Sequence, residues 1–331
     1  MKKNILLLIG LLVSMLVFSQ NSSKPFQLTF AYPLGTNGMN SSDITNNVSF
    51  NMIYGYNNAL QGFEAGSVLN INKSFVSGFQ IAGVSNITLG KSEGIIASGV
   101  CNYAKGDSQG ISISGVANVN SGSHKGIQMS TINVVKDTLK GAQMGIVNKA
   151  GIVKGFQIGI VNIAKNTDKG ISIGLINIVK ENMYSSISLR YNTNRFANLV
   201  YKLGTHRLYT LYSVGIASYN KENVLSNELG LGTRVFNNDK LSLFVETSVG
   251  NIRKGFKSGG SKNVFSKLSV SLDLKIYKNI SFTTGLDLNG YYTKGTDNNL
   301  FYIPSLSKER KFSNSSIYSW IGANCGISIN I

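Results

Sequence analysis

The chain is 331 residues long and carries 32 Lys and Arg against 15 Asp and Glu, a formal charge of +17. Its 36 glycines, 3 prolines, 15 tyrosines and 16 phenylalanines are the composition of many short strands joined by polar turns. The lysines are spread over most of the turns, which argues for solvated loops facing lipopolysaccharide or phospholipid headgroups and against a nucleic-acid surface.

The N-terminus reads as an export signal. Lys2 and Lys3 precede an apolar run from Ile5 to Phe18 that is broken only by Gly10 and Ser14, and Val17 and Ser19 provide modest and small residues before a cut at Gln20. Residues 1–19 are therefore expected to be a cleaved secretory signal, and the run is too short to serve comfortably as a membrane helix. No Cys lies near the cut, which removes support for a lipid anchor. Beyond it, no apolar stretch reaches the roughly 18 residues that a helical span needs.

Two alternating segments come next. Phe26, Leu28, Phe30 and Tyr32 alternate with Gln27, Thr29 and Ala31, and Phe50, Met52, Tyr54 and Tyr56 follow in the same style. Residues 62–180 then form an array of eight repeats. Their leading glycines are Gly62, Gly78, Gly94, Gly110, Gly126, Gly141, Gly155 and Gly170, in steps of 16, 16, 16, 16, 15, 14 and 15. Each unit ends its core with an Asn: Asn70, Asn86, Asn102, Asn118, Asn133, Asn148, Asn162 and Asn177. Earlier copies hold one more residue between the two landmarks than later ones, which must flip the alternation or be absorbed in a bulge.

Two architectures fit this period. In one, each unit is a strand of an antiparallel meander, long enough to cross a bilayer when tilted. In the other, each unit is one coil of a β-solenoid with its Asn residues stacked in a ladder. The equivalence of every unit, rather than of every second unit, favours the solenoid; the small coil and its large polar share favour the meander.

From Tyr184 onward the repeat stops and alternation sharpens. Leu268, Val270, Leu272, Leu274 and Ile276 oppose Ser269, Ser271, Asp273 and Lys275, and Ile280, Phe282, Leu286 and Leu288 oppose Ser281, Thr283, Asp287 and Asn289. Glu228 and Arg234 share the polar face of one earlier strand, and Glu246 lies on that of another. The last strand sets Ile321, Ala323, Cys325, Ile327, Ile329 and Ile331 against Trp320, Gly322, Asn324 and Ser328, and runs to the chain end. Longer candidate outer loops are Lys254–Asn263 and Thr293–Asn314. Similar strands on both sides of the array point to one continuous sheet over residues 20–331. We therefore expect an all-β, antiparallel up-and-down transmembrane β-barrel of roughly 16–18 strands. The alternative is a β-solenoid repeat array plus a smaller β-barrel or sandwich. Alternation by itself does not say whether the apolar faces meet lipid or form a soluble core.

The repeats, clearest in Gly155-Phe-Gln-Ile-Gly-Ile-Val-Asn162 and Gly170-Ile-Ser-Ile-Gly-Leu-Ile-Asn177, resemble the surface repeat-containing proteins of Gram-negative bacteria. The segment Tyr191-Asn-Thr-Asn-Arg-Phe-Ala-Asn-Leu-Val-Tyr-Lys-Leu-Gly204 is similar to the region that follows the repeats there. The resemblance covers residues 26–218 and implies a surface or outer-membrane location, with little about activity.

No nucleophile elbow, metal motif or phosphate loop is present in the sequence. Cys101 and Cys325 fit no metal or redox spacing and read as small strand residues, with one disulfide as the other reading. Glu228, Arg234, Glu246, Asp273, Lys275 and Asp287 are expected to face a polar lumen. An enzymatic barrel would need a Ser/His pair, and His206 lies in a turn. The structural residues of the array are expected to be Gly78, Asn86, Gly94, Asn102, Gly110, Asn118, Gly141, Asn148, Gly155, Asn162, Gly170 and Asn177. The expected function is a non-enzymatic outer-membrane barrel, structural or a narrow pore. It would bind no cofactor, contact outer-membrane lipids, and have no protein or glycan partner that the residues identify. The second reading is a secreted or surface-attached repeat module that binds a partner or carbohydrate.

Overall fold

A computed structural model describes residues 22–167, 169–181, 183–254, 262–294, 300–312 and 314–331. The expected signal (residues 1–19), most of the first expected outer loop (255–261) and a smaller part of the second (295–299 and 313) lie outside the described residues. The fold is all-β: a β-solenoid of about eight turns and a separate antiparallel sheet. The chain divides into two compact units, Met1–Gly145 and Ile146–Ile331, with the division inside the repeat array.

In the first unit every coil stacks on its neighbour in parallel. Ser22–Ala31 pairs in parallel with Ile44–Gly66, which pairs in parallel with Leu69–Ala82. After that, each coil supplies one strand to each of two faces. One face contains Ser85–Thr88, Cys101–Ala104 and Ala117–Asn120; the other contains Lys91–Ser98, Ser108–Ser114 and His124–Met129. The register keeps equivalent residues together: Gly78, Gly94, Gly110, Gly126 and Gly141 in one row, Asn70, Asn86, Asn102, Asn118 and Asn133 in another. In the second unit Val147–Val153, Val161–Asn166 and Ile176–Val179 stack in parallel, as do Phe156–Ile158 and Ile171–Ile173.

The repeats are therefore solenoid coils and not wall strands of a barrel. This corrects the expected meander of 16–18 strands and the expected continuous sheet. The physical reason is the one-unit period: in-register parallel stacking lets each Asn and each Gly meet its own kind, which an antiparallel meander cannot do. The extra residue of the early copies is accommodated before the corner. Ala82, Ser98 and Ser114 share a register, and Ala82 and Ser114 are buried, so the strand is one residue longer and the Asn row stays aligned.

The glycine row is steric. Gly78, Gly94, Gly110, Gly126 and Gly141 all have φ between +113° and +148°, and a Cβ on Gly110 would fall 2.0 Å from the carbonyl oxygen of Gly94. Only glycine tolerates both the backbone conformation and the close approach.

The antiparallel sheet belongs to the second unit. Its wall strands are Tyr184–Asn192, Ala197–Gly204, Tyr209–Tyr219, Glu222–Asn237, Leu241–Lys254, Lys262–Tyr277, Ile280–Lys294 and Ser315–Asn330, each paired with the next. The last pairs back onto the first, Ser188 opposite Ser328 and Asn192 opposite Asn324, so the sheet closes into an eight-stranded barrel. The short strand Lys308–Phe312 flanks the last wall strand. One hairpin shows how local sequence sets the turns: Asn220 and Lys221 take φ of 51° and 61°, the pair that a two-residue type I′ turn demands.

Candidate functional site: an inverted barrel and an inverted solenoid

The closed sheet decides which side of the alternation faces inward. Val270 is 46% exposed on the outer wall, while its neighbour Ser271 is fully buried inside. The same holds around the ring, with Leu189, Val214, Val249, Leu286 and Ile321 outside and Ser188, Ser213, Ser248, Asp287 and Trp320 inside. A water-soluble barrel has the opposite polarity.

Inside, polar layers lie between two aromatic ones. At one end Tyr184, Tyr209 and Phe244 pack together, with Tyr184 and Tyr209 ring centroids 5.1 Å apart. Above them Glu246 is the acceptor for three groups: Arg190 Nη1 at 2.8 Å, Tyr209 Oη at 2.7 Å and the Lys202 ammonium. Lys202 is fully buried, and its ammonium also sits 4.7 Å above the Phe244 ring. In a second polar layer Glu228 accepts from Lys267 at 3.0 Å and from Ser248 at 2.6 Å, and Asp287 accepts from Ser269 at 2.6 Å and from Asn324 at 2.7 Å. The far end is closed by Phe196, Phe265, Tyr291, Trp320 and the residues Leu300 and Phe301, which follow the end of the Ile280–Lys294 strand. Phe301 and Tyr291 meet edge-on at 4.9 Å.

Of the expected lumen residues, Glu228, Glu246, Asp273 and Asp287 are buried inside the barrel. Lys275 is not: it is exposed, because its strand has reached the short-turn end, where the register shifts between Lys275 and Tyr277. Arg234 is only half-buried near that same end, where its backbone N–H bonds the carbonyl of His206. The side chains missed by sequence reasoning are Lys202, Lys267 and Tyr209. Their inward parity was available, but identifying the partners required the ring closure that brings distant strands face to face.

The coils repeat the inversion. Asn70, Asn86, Asn102 and Asn118 are buried, and each amide donates to the next Asn Oδ1 at 2.9–3.1 Å. The same amides donate to a backbone carbonyl near the corner, such as Asn86 to Ala97 at 2.7 Å. In the second unit Asn148 bonds Asn162 at 3.0 Å and Asn162 bonds Asn177 at 2.8 Å. Head-to-tail amide chains polarise one another, so the row is stronger than isolated pairs. Gly155 and Gly170 sit in these later coils outside the set of positive-φ glycines, and at Gly170 a Cβ would still meet the Val153 carbonyl oxygen at 2.4 Å.

One carboxylate breaks the amide pattern. Glu64 occupies the register position of Gln80 in the neighbouring coil and is fully buried. Its Oε1 accepts from Asn51 at 2.9 Å and Asn57 at 2.7 Å, and its Oε2 from Asn72 and Gln80, both at 2.7 Å. Burial raises its pKa above the usual glutamate value, although hydrogen bonds from Asn72, Gln80, Asn51 and Ser49 pull the other way. A raised folded-state pKa means stability that is present at acidic pH and lost as pH rises through the raised value. Glu64→Gln is expected to flatten that loss. The check is the denaturant midpoint of both proteins at acidic and mildly basic pH, and equal pH slopes would refute it. Elsewhere in the coils, burial pushes His124 down to about 4, and its Nδ1 lies 2.7 Å from Ser108 Oγ. The imidazole is neutral at physiological pH. Cys101 and Cys325 are free thiols.

Among the described residues no cluster of three His, Cys, Asp or Glu side chains is arranged to hold a metal ion, and no helix is long and apolar enough to cross a membrane. No family model matches the chain, and no curated protein matches it. Among solved structures, a chain described as "De novo design of transmembrane beta-barrels" is returned at a TM-score of 0.25 and 10% identity, covering 45% of this chain and 94% of that one. A likeness at that level carries no argument about this chain.

Proposed function

We propose that this chain is a non-enzymatic outer-membrane protein whose eight-stranded barrel is a closed membrane anchor. The observation that carries the reading is the polarity of the wall: large apolar side chains outside, charged and hydroxyl side chains inside. In water such an exterior would be an aggregation surface far larger than soluble monomers expose. In a bilayer it is the expected lipid-facing band. The exposed aromatics Phe236, Tyr277 and Phe282 toward the short-turn end fit an interfacial girdle. Short connections such as Lys278–Asn279 and 238–240 lie together at one end of the barrel, as short periplasmic turns do in bacterial barrels. The signal read in residues 1–19 and the resemblance to surface repeat-containing proteins agree with this location.

The barrel is closed rather than a pore. Eight strands leave an interior that side chains fill, and the Arg190–Glu246–Lys202 cluster lies between two buried aromatic clusters. Purified protein in a planar lipid bilayer is expected to give no stable conductance steps. Sustained single-channel openings would refute the closed reading. Recovery from expressing cells without detergent would refute the membrane reading itself and favour the secreted module.

A further inference from the structure

The solenoid has its own unexplained surface. Within the first unit the corners on one side carry Val68, Val84, Val100 and Val116, and within the second unit the corresponding corner positions of the repeat carry Ile146, Ile160 and Leu175, each between 41% and 50% exposed. Thr131 is a polar interruption. The strand faces on either side of this corner are also apolar outward, as at Ile81, Ile113, Ile158 and Ile176. The opposite corner is mostly polar and basic, with Lys73, Lys105, Lys136, Lys165 and Lys180 exposed, Leu89 an apolar interruption, and Lys73 and Lys165 paired with Asp43 and Glu181. Between the two corners the core combines amides, with Asn70, Gln80, Asn86, Asn133 and Gln143 at most 1% exposed, with a buried apolar cluster of Leu60, Val76 and Ile96.

We infer that the apolar corner of the solenoid is buried in the acyl region of a phospholipid bilayer, with the lysine corner toward the headgroups and water. This rests on the reading of the barrel as a membrane anchor. Three observations lead to it. First, the coils bury an amide chain beside a small apolar cluster and leave a row of larger apolar side chains outside, for which lipid supplies apolar surroundings while strengthening the buried amide chain.

Second, the surface is continuous with the barrel wall inside the second unit. The corner at Gly174–Leu175 lies on the strand Tyr209–Tyr219. Asn177 donates to Thr210 Oγ1 at 3.0 Å, Thr210 donates to the Gly174 carbonyl at 2.6 Å, and Tyr212 donates to the Leu175 carbonyl. Val214 and Ile216, on the lipid-facing parity of that same strand, are the next outward residues. Third, those contacts satisfy backbone carbonyls that the last coil would otherwise expose, which is the condition for placing a β-edge in a bilayer. Lysines on the far corner then meet anionic headgroups.

The test uses the full chain in phospholipid vesicles on a Cys101→Ala, Cys325→Ala background. A fluorophore is attached in turn at Val116→Cys and Ile160→Cys on the apolar corner, Leu286→Cys on the barrel wall and Lys105→Cys on the basic corner. Quenching by brominated phospholipid is compared with quenching by aqueous iodide. Lipid quenching is expected to exceed iodide quenching at 116, 160 and 286, with the order reversed at 105. If 286 is lipid-quenched while 116 and 160 respond to iodide, the inference fails and the anchor stands. Shielding of 116 and 160 from both quenchers means a protein occupant and also overturns it. If 286 itself responds only to iodide, the anchor reading fails and the inference falls with it.

Discussion

Replacing Glu246 with Ala is expected to destabilise the barrel by about 3–5 kcal/mol, the usual cost of stranding a buried charge whose partner is removed. Glu246 is the shared acceptor for Arg190 Nη1, the Lys202 ammonium and the Tyr209 hydroxyl. Arg190 and Lys202 are 7% and 0% exposed, so neither cation can reach water after the carboxylate is gone. The loss should appear as a lower urea midpoint in detergent micelles and as an earlier loss of compact electrophoretic mobility on heating. Glu246→Gln keeps the volume and should recover little, because both cations stay unpaired. Combining Glu246→Ala with Arg190→Met and Lys202→Met removes the stranded charges and should recover much of the loss, a non-additivity diagnostic of one coupled network. An unchanged midpoint for Glu246→Ala would show that the cluster is solvated and the lumen open.

Gly110→Val is expected to be the most disruptive single change in the coils, at about 3 kcal/mol or more from overpacking and backbone strain together. Gly110 has φ +117°, and a Cβ there meets the Gly94 carbonyl oxygen at 2.0 Å. Gly126 stacks on Gly110 in turn, so a shift at one coil spoils the register of the next. Coils contact only their neighbours, and damage should therefore spread along the stack rather than across the molecule. Limited proteolysis should cut within residues 22–145 while a fragment containing 184–331 persists. Gly38 is the matched control. It also has positive φ, at +57°, but no atom lies within 4 Å of a Cβ there, so Gly38→Ala should cost only about 1 kcal/mol. Equal effects of the two substitutions would mean that close approach plays no part in the glycine row.

The solenoid illustrates how much of a fold can be present in a sequence yet lose to a plausible rival. The one-unit equivalence of Gly78 to Gly141 and of Asn70 to Asn177 is the signature of parallel, in-register stacking. The polar third of each unit argues the other way, as a segment unfit to line a core. The polar third does not line the core: Lys105, Lys136 and Lys165 occupy an outer corner. The core is polar all the same, because Asn and Gln amides satisfy one another from coil to coil. The rule that polar residues avoid interiors holds only where their hydrogen bonds go unmade.

Local and periodic features are legible in the sequence alone: strands throughout, a two-residue alternation after Tyr184, a repeat with equivalent Asn and Gly positions, and the polar parity of Glu228, Glu246, Asp273 and Asp287. Those follow from backbone sterics and side-chain period, which are local. Tertiary structure alone decided the pairing direction of the repeats, the closure of eight strands through Ser188 and Ser328, and the inward side of the alternation. Alternation is symmetric under exchange of faces, so it states that two surroundings differ without saying which is the interior. Only ring closure breaks that symmetry. Once it does, Arg190, Lys202 and Glu246, on three strands separated along the chain, become a single buried cluster.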